Sequence, residues 1–132
     1  MDKKIKVFLA AFTALAVSVS STVCYAASKN VSATLSGNSI RGELSVADTS
    51  ASASLSCAMP AELSVNGSAI IANRYDVTSP NYKKILAASE GATLRVSSSV
   101  TVNDTTTERV VSAVCTFSAW YGSASWSDSA SY

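Results

Sequence analysis

Histidine is absent from the chain, proline occurs only twice and charged residues make up 14% of it. The missing imidazole removes the commonest general base and the usual metal ligand. A Ser-Lys or paired-carboxylate hydrolase stays chemically possible, but no grouping marks one. The acids Glu43, Asp48, Glu62, Asp76, Glu90, Asp104, Glu108 and Asp128 are scattered singly. The run Asn103 to Glu108, "NDTTTE", offers Asp104 and Glu108 but lacks the ligand density of a calcium loop. There is no glycine-rich phosphate loop either. These absences predict a protein that is not an enzyme and holds no cofactor or metal.

Long apolar runs are also scarce, and the only one lies at the start. "MDKKIKVFLAAFTALAVSVSSTVCYA" opens on Lys3, Lys4 and Lys6, continues through an apolar stretch from Val7 to about Val19, and ends on small residues. That order of parts predicts a secretory signal peptide over residues 1–26, cut after Ala26, in a bacterial protein. The stretch is short of the roughly 20 apolar residues that span a bilayer, so no stable membrane insertion is expected after its removal. Cys24 in "STVC" fits a lipoprotein signal poorly, because Val23 stands where Gly or Ala is wanted. Without residues 1–26 the formal charge falls from +1 to −1, as three lysines and Asp2 are lost. A nearly neutral domain has no electrostatic footprint for nucleic acid or an anionic membrane surface.

Residues 27–132 are sized for one domain. Their dominant pattern is an alternation of apolar with Ser or Thr, the mark of strands with one dry face. "ASASLSC" sends Ala51, Ala53, Leu55 and Cys57 one way and its serines the other. "ATLRVSSSVTVN" sends Leu94, Val96, Val100 and Val102 one way. "RVVSAVCTFSAWY" does the same with Val111, Ala113, Cys115, Phe117, Ala119 and Tyr121. "NVSATLS" and "IRGELSV" read as two further strands. Cys57 and Cys115 both fall on dry faces, and once Cys24 leaves with the signal peptide the even count of two in an exported chain predicts a disulfide between them. Such a loop is worth about 4 kcal/mol in the chain-entropy model.

Two local signals interrupt the strands. Asn66-Gly67, between "ELSV" and "SAII", predicts a two-residue hairpin turn that pairs Val65 with Ser68 and Leu63 with Ile70. Asn66-Gly67-Ser68 is also a glycosylation sequon, as are Asn30-Val31-Ser32 and Asn103-Asp104-Thr105. In "TSPNYKKILAASEG", Ser79 suits a cap, Pro80 the first helical position and Gly91 the exit. A short helix near residues 80–89 is expected, with Lys83 and Lys84 facing solvent.

Two inward cysteines separated by several short strands resemble the inter-sheet bridge of immunoglobulin-type sandwiches. No tryptophan lies between them, and Ala113 occupies the tyrosine-corner position. The expected fold is thus a small immunoglobulin-like antiparallel β-sandwich of about seven strands. Functional colour comes from the aromatics alone: Trp120, Tyr121, Trp126 and Tyr132 near the end, Tyr75 and Tyr82 around the expected helix start. Such side chains stack on sugars or anchor protein partners. The expectation is a secreted binding or structural module whose partner is a protein or glycan at a cell envelope. The rival is a secreted antagonist, bacteriocin-like or toxin-like. Assembly through an open sheet edge is a further possibility.

Overall fold

The computed structural model describes residues 26–76, 78–102 and 107–132. Residues 1–25, which hold nearly all of the expected signal peptide, and Asp104 of the weighed calcium loop lie outside them. The described chain is all-β, with one antiparallel six-stranded sheet: β1 (Ala26–Leu35), β2 (Asn38–Ala47), β3 (Ser50–Asn73), β4 (Tyr82–Thr101), β5 (Glu108–Tyr121) and β6 (Ala124–Ser131).

Strand β3 organises the sheet. Along one side it pairs with β4 over nearly its whole length. Along the other it pairs first with β2, over Ala51 to Cys57, and then with β5, over Glu62 to Asn73. β1 extends the sheet beyond β2, and β6 beyond β5. The β3–β4 register slips between Ser56 and Leu63, near Pro60, and Ala92 on β4 takes a φ of 51°. Proline there withholds a ladder donor, and register slips bend a strand. The sheet creases at this line and curls back on itself.

One contact fixes how the halves meet. A Cβ on Gly42 of β2 would lie 2.7 Å from Cγ of Phe117 on β5. Gly42 pairs with Leu55, and Leu55 with Val96. Phe117 pairs with Val65, and Val65 with Ala88. The contact therefore stacks the row containing Gly42, Leu55 and Val96 on the row containing Phe117, Val65 and Ala88. The same alignment brings Lys84 over the end of β4, where its Nζ donates to the Thr101 carbonyl at 3.0 Å. Between the halves lies the core: Ile40, Leu44, Leu55, Leu63, Val65, Ile71, Leu86 and Phe117 are almost fully buried. Alternation puts them there, since the residues on either side of each point the other way.

Several expectations need correction. There are six strands where about seven were expected, and they form one continuous sheet. The expected helix is the first half of β4: adjacent Ile85 and Leu86 are 68% and 0% exposed, which is strand periodicity. Pairing with β3 overrides the local cap and exit signals. Lys83 is exposed as expected, but Lys84 is half-buried on the face it shares with Ala69.

The Asn66-Gly67 turn does not form either. Both residues lie inside β3, paired with Ala87 and Leu86 on one side and Thr116 and Cys115 on the other. Gly67 is needed for another reason: an added Cβ would meet the Val114 carbonyl oxygen and sit 2.7 Å from Cys115 Cα. Among the described residues, two-residue turns with positive φ are at Ser36-Gly37, with φ of 50° and 78°, and at Gly122-Ser123, with φ of 59° at Gly122. Positive φ at these positions is what primed hairpin turns require.

The expected disulfide is absent, and Cys57 and Cys115 are free and buried. Register explains this. From Leu55, Cys57 lies two residues toward the crease; from Phe117, Cys115 lies two residues away from it, beside Gly67. The offset is about 13 Å along the strands, whereas bridged Cα atoms sit within about 7 Å.

Candidate binding surface

The aromatic residues singled out in the sequence do not converge. Trp120 is 44% exposed on the outer face of β5, paired with Glu62 on β3 and Ser125 on β6. Tyr121, also exposed, ends β5 beside it. Trp126 is half-buried and packs against the core, paired with Ala119, so it closes the interior. Tyr132 pairs with Ala113 through two backbone hydrogen bonds of 2.7 and 2.8 Å.

Tyr75 and Tyr82 lie at the other end of the same half. Tyr82 pairs with Ile71, nine residues along β3 from Glu62, or about 30 Å of extended chain. A hydrogen bond to the Glu108 carboxylate raises the Tyr82 phenol above its usual range. Tyr75 stands exposed on the loop after β3, a loop braced by the Asn73 side-chain amide and the Asp76 carboxylate. Asn73 Oδ1 accepts from the amides of Tyr75 and Asp76 at 2.9 and 3.1 Å. Asp76 accepts from the Thr78 hydroxyl and amide at 2.7 and 2.9 Å and from the Ser79 hydroxyl at 2.7 Å. These bonds, led by that of the Thr78 hydroxyl, lower the Asp76 carboxyl from the usual 3.8 to about 2.

Around Trp120 the sheet forms a depression of about 300 Å³, lined by Glu62, Ser64, Ser89, Glu90, Gly91 and Trp120. Its parts come from β3, β4 and β5 at the crease. Glu62 reaches it from β3, and a Cβ on Gly91 would lie 3.9 Å from Glu62 Cγ. The depression joins an indole to the Glu62 carboxylate and two hydroxyls, and Glu90, paired with Leu63 on the core-facing side of β4, borders it at the sheet edge. Neither Glu62 nor Glu90 stood out in the sequence, because only strand pairing brings them to Trp120.

The outer face of the other half is different. Rows of Ser45, Ser52 and Ser99, of Glu43, Ser54 and Ser97, and of Arg41, Ser56 and Arg95 cross it. They line a hollow of about 260 Å³ and an adjoining one of about 210 Å³. Arg41 is engaged by Glu43 at 3.6 Å and by Asn30 Oδ1 at 3.0 Å. This face offers hydroxyls and no aromatic platform.

Among the described residues no three His, Cys, Asp or Glu side chains group to hold a metal. No described helix is long and apolar enough to cross a membrane. No protein-family model, curated protein or solved structure matches the chain.

Proposed function

We propose that the protein is an exported, non-enzymatic binding module that acts at or outside a cell envelope, with the depression around Trp120 as its contact site. The observation that supports this reading is the exposed Trp120 indole beside Glu62 on the outer face of a hydrogen-bonded sheet. An indole face takes the apolar side of a sugar ring or a cation. The Glu62 carboxylate and the hydroxyls of Ser64 and Ser89 accept hydrogen bonds from hydroxyl or ammonium donors. The ligand class that suits all three is a neutral or amino sugar of an envelope glycan. Export is supported by the leader-like residues 1–26.

A screen of envelope glycans and whole cells tests the site. Retention of wild-type protein should fall at least tenfold in Trp120→Ala and in Glu62→Gln, and stay unchanged in Tyr75→Ala at the opposite end. Binding that survives Trp120→Ala overturns the assignment. Growth inhibition of neighbouring strains by the pure protein would favour the antagonist reading instead.

A further inference from the structure

Among the described residues, three strands have one side that pairs with no other strand: β1, β6 and, along all of its 20 residues, β4. An unpaired side presents free N–H and C=O groups to any further strand. The three are guarded differently. Lys29 on β1 is exposed yet pairs with buried Leu44, and Asp128 on β6 is exposed yet pairs with buried Phe117. Each is a solitary charge on the core-facing side of an edge, a device that discourages pairing.

On β4 the corresponding charges come as a pair of opposite sign. Lys84 pairs with Ala69 and Glu90 with Leu63, so both share the core-facing side, and each is three residues from Ala87. We propose that a second copy of this chain adds to the β4 edge about a two-fold axis at Ala87, making each half of the sheet continuous across two subunits. In that antiparallel register Ala87 meets itself, Leu86 meets Ala88, Ile85 meets Ser89, and Lys84 meets Glu90 of the partner subunit twice over.

The other half of the sheet obeys the same axis. The Gly42–Phe117 contact stacks Val96 on Ala88, and hence Ser97 on Ala87. An axis through Ala87 therefore passes Ser97, and it sets Val96 against Ser98, Arg95 against Ser99 and Leu94 against Val100. No like charges meet in either half, and the exposed Ile85 and Leu94, 68% and 54% accessible, gain cover. A two-fold arrangement of this kind closes on itself, and the guarded edges of β1 and β6 offer no route to further growth. The axis also sets Lys83 of the partner subunit opposite Gly91, at the rim of the Trp120 depression. That last consequence rests on the binding reading above; the dimer does not.

Sedimentation of the full chain tests it. The wild type should sediment at twice the chain mass. Lys84→Glu and Glu90→Lys, each of which sets like charges together, should weaken the dimer at least tenfold, and the double swap should restore it to within threefold. Ala87→Lys and Ser97→Lys place two lysines on the axis and should give monomers, with circular dichroism unchanged from wild type. Amides of residues 85–89 should exchange more slowly as concentration rises. A monomeric wild type, open-ended assemblies, or a dimer indifferent to these substitutions overturns the proposal. The dimer test needs no ligand, so its failure is distinct from failure of the glycan screen.

Discussion

The ring of Phe117 lies against the bare Cα of Gly42, across the interior from one half of the folded sheet to the other. Glycine is needed there for space alone, since its φ is ordinary. Gly42→Ala should destabilise the protein by about 1–3 kcal/mol, the usual cost of overpacking a core. In a Phe117→Leu background the added methyl should cost less than it does alone. Urea denaturation of the four proteins of that cycle measures the coupling.

Gly67 should be the less forgiving position. There the obstacle is the backbone of β5 at Val114 and Cys115, and a hydrogen-bonded strand cannot step aside as a ring can. Gly67→Ala is expected to cost about 3 kcal/mol or more and to disturb the β3–β5 pairing. Amide exchange around Val114 would register that loss.

The two buried cysteines should behave as thiols. Burial raises the Cys115 pKa above its usual value, with a smaller opposing contribution from the Asn66 backbone, so little thiolate is present to react. Native protein should resist alkylation, whereas denatured protein without reductant should label at both Cys57 and Cys115. Mass spectrometry counts the adducts. A protein that labels at neither site when unfolded would contradict the free thiols.

Asp76 sets a pH dependence whose sign is determined. Its folded pKa, about 2, lies below the usual 3.8, so its contribution is complete above 3.8. It is lost as pH falls toward 2. Asp76→Asn should flatten that part of the acid-side fall in melting temperature and leave the melting temperature at pH 7 lower than wild type. Melting curves between pH 2 and 7 decide.

Arg74 holds three segments together near the end of β3. Its Nη2 meets Asp48 Oδ2 at 2.6 Å and the Glu108 carbonyl at 3.1 Å, and its amide donates to the Thr107 carbonyl at 2.6 Å. Arg74→Met removes the guanidinium and leaves the Asp48 carboxylate half-buried without that partner. A loss of about 2 kcal/mol is expected, the scale of a charged hydrogen bond. Thermal denaturation at low and high salt would show it, since a sheltered pair is weakly screened.

Alternation made much of this fold legible. Ala51, Ala53, Leu55 and Cys57 are buried as a period of two requires, and so are Ala113, Cys115, Phe117 and Ala119. What misled were signals read locally. Asn66-Gly67 has the composition of a turn, yet pairing on both sides of β3 keeps it extended. Ser79, Pro80 and Gly91 frame a helix, yet Leu86 is buried as a strand residue. Facing the same way did not bring Cys57 and Cys115 together, because the crease near Pro60 decides which inward residues meet. Trp120 was visible as an aromatic residue, but Glu62 and Glu90 gain meaning only from their places around the crease.

Because β3 and β4 run unbroken through both halves, neither half can melt by itself without tearing strands out of the other. Heating should therefore give a single calorimetric peak, with van't Hoff and calorimetric enthalpies in agreement for each cooperative unit. A proteolytic fragment carrying only one half of the sheet would be left with an open hydrophobic face and no independent melting transition.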